Sequence, residues 1–266
     1  MNSFRTTQDW QSRFDRGFEA YKHADYVTAF RELASLADEG YDEAQLIMGW
    51  MYQYENGVDR DETEAAWWYR LAAEQGNRAA QFYLGTMHLN GQGVSQDEEA
   101  GLWWCHCAAE KGFANAQWAL GLCYQLGEHG LPQDEEKAVS WYRLAAEQGH
   151  ANAQYFLGSF YEAGDVLTQD YEEAARWYHR ASEQGDLWAQ YNLAELYEEG
   201  LGVPQDDQEA AYWYRQVAEW GVGNAQFRLG QMYDEGRGVP QDDARAKMWF
   251  DPVSYTHLTL PTNREV

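Results

Sequence analysis

Cysteine is scarce in this chain: Cys105, Cys107 and Cys123 are the only three among 266 residues. So few thiols cannot form the dense disulfide framework of small secreted repeats. Cys105 and Cys107, two apart on a helix, also point in different directions and should not bridge each other. A reducing compartment is expected. Long apolar runs are missing as well. The N-terminal MNSFRTTQDWQSRF has no uninterrupted apolar stretch of the kind a signal peptide needs, and nowhere do about 18 apolar residues follow one another. The expectation is a cytoplasmic protein without a membrane span. Basic charge is short too, with 19 Lys and Arg against 44 Asp and Glu and a formal net charge of -25. That argues against nucleic acid and anionic membrane, which a basic face would have to meet, and favours a basic partner. The same acids would equally serve to keep a solvated surface soluble. Signatures of chemistry are absent: G-x-x-x-x-G-K-[ST], H-E-x-x-H and S-x-x-K do not occur.

Against these absences stands a repeat. Six Ala-Gln dipeptides, at Ala44-Gln45, Ala80-Gln81, Ala116-Gln117, Ala153-Gln154, Ala189-Gln190 and Ala225-Gln226, recur with a period of 36 and one interval of 37. A fixed period of this size means one elongated array whose units bury surface against their neighbours, with no need for a single core. The cleanest unit runs from Ala189 to Asn224. Its spacing puts Ala189, Leu193, Ala194 and Tyr197 on one face of an amphipathic helix, helix A. Gly200-Leu201-Gly202-Val203-Pro204 supplies a stop, because Gly tolerates the left-handed conformation that closes a helix and Pro cannot continue one. Asp206 is the expected N-cap of helix B, whose apolar positions are Ala210, Trp213, Tyr214, Val217 and Ala218 and which ends at Gly221. Since the Gly-rich loops recur at the repeat period, they read as helix stops and not as phosphate cradles.

The consensus A-Q-x-x-L-G-x-x-Y, then G-x-G-V-x-x-D, then A-x-x-W-Y-x-x-A-A-x-x-G, resembles the Sel1-like repeat, a relative of the tetratricopeptide repeat, over roughly residues 17 to 250. The aromatic pairs Trp68-Tyr69, Trp141-Tyr142, Trp177-Tyr178, Trp213-Tyr214 and Trp249-Phe250 carry much of the likeness, and Trp104-Cys105 departs from it. The resemblance implies an all-α fold, a right-handed α/α superhelix of about six to seven stacked helix pairs, and an adaptor that binds a peptide or protein on its inner surface. It implies no chemistry. Cysteine-rich relatives classed as penicillin-binding, β-lactamase-like hydrolases raise an enzymatic alternative, but their regular cysteine pairs are missing and no Ser-Lys pair offers a nucleophile with a base. A purely structural, oligomerising array is the third reading.

Three segments are expected. Residues 1–16 read as an N-terminal cap over the open end of the array, and 17–250 as the array itself. Its first copy is degenerate, with Glu32 in the Trp column, and its last is cut off after Trp249-Phe250. Glu55 replaces the first loop Gly in the next copy. His88, Gly101 and Cys105 are three departures in the copy from Ala80. The copy from Ala116 carries an insertion at Gly127-Glu128-His129-Gly130, and Val166 replaces a loop Gly later on. The tail, DPVSYTHLTLPTNREV over 251–266, matches no repeat column and resembles a translated vector or adaptor sequence, so the natural chain is expected to continue differently past 250.

His88, Cys105, His106, Cys107 and Cys123 are zinc-ligand types in adjacent copies. Their columns argue otherwise, since Cys123 aligns with Met51, Met87, Phe160, Leu196 and Met232, and Cys107 with Leu71 and Leu144. Both are expected to be small core hydrophobes. Carboxylate pairs such as Glu135-Glu136 and Glu198-Glu199 fit helix starts or solvated faces, so no catalytic residue, metal or cofactor is expected. The expected core columns are Met48, Leu84, Leu120, Leu157, Leu193 and Leu229 with Tyr52, Tyr124, Tyr161, Tyr197 and Tyr233 on helix A, and the Trp column on helix B.

In tetratricopeptide-like arrays helix A lines the concave side, and the resemblance therefore puts the partner surface there. Two residues before the Leu landmark stand Leu46, Phe82, Trp118, Tyr155, Tyr191 and Phe227. Later on the same helices come Trp50, Tyr54, Leu89 and Leu122 in the early copies and Glu162, Glu195, Glu198, Glu199 and Asp234 in the late ones. A groove aromatic at one end and acidic at the other would take a segment with apolar anchors followed by Lys or Arg. The alternative is that the aromatic column packs between repeats and the acids only solvate the surface.

Overall fold

The computed structural model describes the backbone of residues 2–251 and the side chains of residues 9–251. Among the described residues there are fourteen helices and no strand, and the fold is all-α, as the periodicity predicts. The helices form consecutive pairs: α1 (Asn2–Lys22) with α2 (Tyr26–Asp38), α3 (Asp42–Gln53) with α4 (Glu62–Glu74), α5 (Arg78–Asn90) with α6 (Glu98–Glu110), and α7 (Ala114–Leu126) with α8 (Glu135–Glu147). They continue with α9 (Ala151–Ala163) and α10 (Tyr171–Glu183), α11 (Leu187–Glu199) and α12 (Asp207–Glu219), α13 (Gly223–Glu235) and α14 (Asp243–Phe250). From α3 on, odd helices are helix A and even ones helix B. Two compact units divide the chain inside α8, one ending at Ala145 and the other starting at Ala146.

The boundary expected at 16/17 falls inside α1, which runs unbroken to Lys22 and packs on α2. Arg13 pairs with Glu39 at 3.1 Å, and Trp10 Nε1 donates to the same carboxylate at 2.7 Å. From residue 252 on, the segment read as a tail lies outside the described residues.

Each B helix starts on an aspartate. Asp206 has extended backbone and its Oδ1 accepts from the Gln208 and Glu209 amides, as expected. Asp61, Asp97, Asp170 and Asp242 cap their helices in the same way. Helix A ends on a left-handed Gly at Gly91, Gly127, Gly164, Gly200 and Gly236. In the copy with Glu55, α3 stops earlier, at Gln53, and Glu55 itself takes the left-handed conformation at φ 59°. Gly202 is required for a second reason. A Cβ there would lie 2.1 Å from the carbonyl carbon of Tyr171, because the loop after α11 sits directly on the start of α10.

The glutamine of each Ala-Gln pair is a clamp. Gln45, Gln81, Gln117, Gln154, Gln190 and Gln226 donate from Nε2 to the carbonyls of Ala37, Ala73, Ala109, Ala146, Ser182 and Ala218, all at 3.0 or 3.1 Å. The bond ties each A helix to a last-turn carbonyl of the preceding B helix, one that also accepts from the amide of the glycine following that helix. The amide oxygen is also used, by Gln75 on Gln45 at 2.7 Å and by Gln184 on Gln154 at 2.8 Å. Where Lys111 and Trp220 occupy that later position, the oxygens of Gln81 and Gln190 are buried without a partner.

Met48, Leu84, Leu120, Leu157, Leu193 and Leu229 are all buried, as expected. On helix A Tyr124 and Tyr233 are buried, whereas Tyr52, Tyr161 and Tyr197 are half-buried. The helix B expectation needs correcting. Trp68, Trp177 and Trp213 are only just buried, and Trp104, Trp141 and Trp249 are half-buried. In four pairs the centre belongs to the second aromatic, for Tyr69, Tyr142, Tyr178 and Tyr214 are wholly enclosed, whereas Phe250 of the last pair is exposed. The indole nitrogens of Trp68, Trp177 and Trp213 find no hydrogen-bond partner, whereas the tyrosine hydroxyls do, which is why the phenol suits the deeper position.

Candidate functional site

The helix A residues expected to contact a partner fall into three groups. The first is packed, with Trp50 half-buried and the two leucines enclosed. Leu46 and Leu89 are buried at 8% exposure, and Trp50 is held edge-on to Tyr83 at 5.9 Å with Tyr21 on another side at 6.3 Å. Leu46 and Leu89 are thus packing residues, contrary to their assignment to a groove.

The second group is tied to the helix B tyrosines. Tyr178 Oη donates to Glu162 Oε2 at 2.5 Å and Tyr214 Oη to Glu198 Oε2 at 2.8 Å. Glu198 is further bound by Arg237, whose two terminal nitrogens lie 3.0 and 2.9 Å from Oε1, while Arg237 Nε reaches Glu235 at 2.6 Å. Glu162 and Glu198 therefore satisfy internal donors instead of standing as a free acidic wall.

The third group remains accessible. Phe82, Trp118, Leu122, Tyr155 and Tyr191 are half-buried, and Tyr54, Glu199, Phe227 and Asp234 are exposed. The aromatic column leans on its own helix pair: Tyr155 on Tyr178 at 5.9 Å, Tyr191 on Tyr214 at 5.5 Å, Phe227 on Phe250 at 5.6 Å. One edge of each ring packs and the other meets solvent, so the two readings of this column both hold in part.

Within the second unit, Glu195 on α11 stands out. It is half-buried, with Arg228 of α13 at 3.9 Å. Burial pushes its carboxyl above the ordinary range and the charges of Glu162 and Glu199 add to this, while a hydrogen bond from Tyr191 and the charge of Arg228 oppose it. Half-buried Tyr191, Glu195 and Arg228 and exposed Glu199 thus form a net acidic patch.

The thiols are placed as packing groups. Cys105 is buried against Gly85, and burial pushes it up to about 12, while Cys123 is pushed up to about 11. Cys107 is half-buried, less deep than expected for a core residue, and its aligned Leu144 is exposed. His106 faces Trp141 and Tyr124 edge-on at 5.9 and 6.4 Å. Among the described residues no three His, Cys, Asp or Glu side chains are grouped to hold a metal ion.

The Sel1 repeat model matches residues 42–77, 78–113, 114–150, 151–186, 189–219 and 223–251. Among solved structures, a Sel1 repeat protein from Oxalobacter formigenes is 32% identical with a TM-score of 0.78, the match covering 91% of this chain and 98% of that one. A protective antigen present in uropathogenic Escherichia coli strains, displaying an SLR fold, is 39% identical with a TM-score of 0.77. That match covers 85% of this chain and 48% of the other, so the chain spans about half the length of that protein. An immunity protein from Pseudomonas aeruginosa, at 18% identity and a TM-score of 0.50 over 76% of this chain and 81% of that one, shares the fold alone. No curated protein matches the chain.

Proposed function

Since the chain belongs to the Sel1 repeat family, whose members are generally protein-interaction scaffolds, we propose that it is a non-enzymatic adaptor whose helix A face in the second unit captures a basic segment of a partner protein. The observation that carries this reading is the patch of Tyr191, Glu195 and Glu199, in which a half-buried carboxylate with a raised pKa stands beside an aromatic face. A Lys or Arg reaching Glu195 would relieve the electrostatic penalty of burying that charge, while its aliphatic stem covers Tyr191 and Phe227. The net charge of -25 supports the sign of the partner.

A cytoplasmic setting belongs to the same reading, supported by three free thiols. Among the described residues no helix is long and apolar enough to cross a membrane.

The test is capture of a fluorescein-labelled peptide of alternating Lys and Leu by the full chain. Glu195→Gln with Glu199→Gln should weaken binding and flatten its salt dependence, since fewer charge pairs remain to be screened. Glu198 is left intact, because its loss would also release Tyr214 and Arg237. Binding with an unchanged response to salt would sink the acidic patch and leave the generic scaffold.

A further inference from the structure

From α4 on, two columns of the B helices hold arginine in α10 alone, at Arg176 and Arg180. Where α4 has Trp67, Arg70 and Leu71, and α6 has Trp103, His106 and Cys107, α10 has Arg176, His179 and Arg180. These three line an open depression of about 390 Å³ within the second unit, together with Glu172 of the same helix, Leu193 and Tyr197 of α11 and Val203 of the following loop. Gly202 sets the loop down on the start of α10, and that close approach brings Val203 to the wall of the depression.

The three basic side chains are not equivalent. Arg176 is neutralised on its own helix by Glu172 at 2.5 Å and Glu173 at 2.7 Å, and His179 Nδ1 lies 3.6 Å from Glu183. Arg180 is in no ion pair among the described residues. Its guanidinium lies over the Trp177 ring, 4.6 Å from the centroid. Stacking of this kind fixes the plane of a guanidinium and leaves its edge N–H groups free to meet a carboxylate side-on.

We propose that this depression docks an acidic peptide segment of a partner protein, with one carboxylate on Arg180 and a small apolar side chain against Val203 and Tyr197. Charge complementarity selects the occupant: an uncompensated Arg beside apolar surface favours an anion carrying an apolar group. Of the nearby acids, Glu172 and Glu173 are engaged by Arg176 and Glu183 lies by His179, while acids beyond about 8 Å are largely screened at physiological ionic strength. The volume is at the lower end of the range for pockets that enclose a ligand, about 300 to 1,000 Å³, and suits side chains better than a folded surface. The site takes the opposite charge from the helix A patch and stands or falls separately from it.

The experiment is fluorescence anisotropy of the full chain with labelled peptides of alternating Asp and Leu, Ser and Leu, or Lys and Leu. The Asp-Leu peptide should bind more tightly than Ser-Leu. Arg180→Glu should weaken it at least tenfold, and Val203→Asp, which leaves Arg180 in place, should weaken it too. Glu195→Gln with Glu199→Gln should leave it unchanged while affecting Lys-Leu. If Arg180→Glu melts early, Arg180→Met, which keeps a flexible stem beside Trp177, gives the same reading. Equal binding of Asp-Leu and Ser-Leu, or undiminished Asp-Leu binding by a folded Arg180 variant, would overturn the proposal.

Discussion

Tyr214 Oη donates a 2.8 Å hydrogen bond to Glu198 Oε2, joining the enclosed ring of α12 to the last turn of α11 in the same helix pair. Three other pairs repeat the bond, Tyr69 to Gln53 at 2.5 Å, Tyr142 to Gln125 at 2.7 Å and Tyr178 to Glu162 at 2.5 Å. In the copy where the ring is replaced by Cys105, which lacks a strong donor, the acceptor position holds buried Leu89. A Cβ on Gly101 would fall 2.7 Å from Leu89 Cδ2, so Gly101 makes room for that leucine. Cys105, Leu89 and Gly101, scattered along the sequence, are one packing solution.

The pairing predicts coupled mutations. Gln53→Leu alone strands the Tyr69 hydroxyl and should cost about 1 to 3 kcal/mol, whereas Tyr69→Phe alone should cost about 1 kcal/mol. The double variant should cost less than the sum by about 1 kcal/mol, because no orphan donor remains. Urea melts of the four proteins measure this. Additive costs would mean that the bond contributes nothing.

The depth of the aromatic columns predicts a ranking. Tyr142→Ala, at a wholly enclosed site, should cost on the order of 3 to 5 kcal/mol as for large-to-small core changes. Trp141→Ala should cost less, since Trp141 is half-buried. The opposite order in chemical denaturation would return the Trp column to the centre of the core.

The period, the helix boundaries, the aspartate caps and the leucine column were legible in the sequence because each is a local or periodic signal. Which of two adjacent aromatics lies deeper was not. Trp213 and Tyr214 are neighbours on one helix, and periodicity alone cannot rank them; the answer depends on Glu198 reaching the phenol from another helix. The acids misread for the same reason. Glu162 and Glu199 look alike in sequence, yet one accepts from Tyr178 and the other lies in solvent. A signal was available in the paired columns: Gln or Glu accompanies Tyr, and Leu accompanies Cys. The Ala-Gln landmark was recognised as a marker of the period, but its clamp on the preceding helix depends on a carbonyl eight residues back that no pattern displays.

Thiol reactivity should follow burial. With Cys105 pushed up to about 12 and Cys123 to about 11, both carry little thiolate at pH 8 and are sterically covered. Cys107 is also raised, by burial first, but is more accessible. Ellman's reagent at pH 8 should titrate one thiol quickly in the native protein and all three in urea. Three fast thiols in the native state would show that the pair around Cys105 opens readily.

Glu195 links the proposed acidic patch to pH. Its folded pKa is raised above the ordinary 4.5, chiefly by burial. Between 4.5 and the raised value the folded chain therefore holds more protons than the unfolded chain, and this group's contribution to stability falls as pH rises through that window. Glu195→Gln removes the ionisable group, so the variant should be at least as stable as the parent at pH 7, and the difference should vanish as pH drops below the ordinary carboxylate range. A lysine docked on Glu195 favours the charged form, so binding of the Lys-Leu peptide should release protons in the same window and tighten as pH rises through it. Calorimetry in buffers of different ionisation enthalpy counts those protons. A Gln variant less stable than the parent at pH 7 would mean that Tyr191 and Arg228 outweigh burial, leaving Glu195 a structural partner of Arg228 with little to gain from a basic ligand.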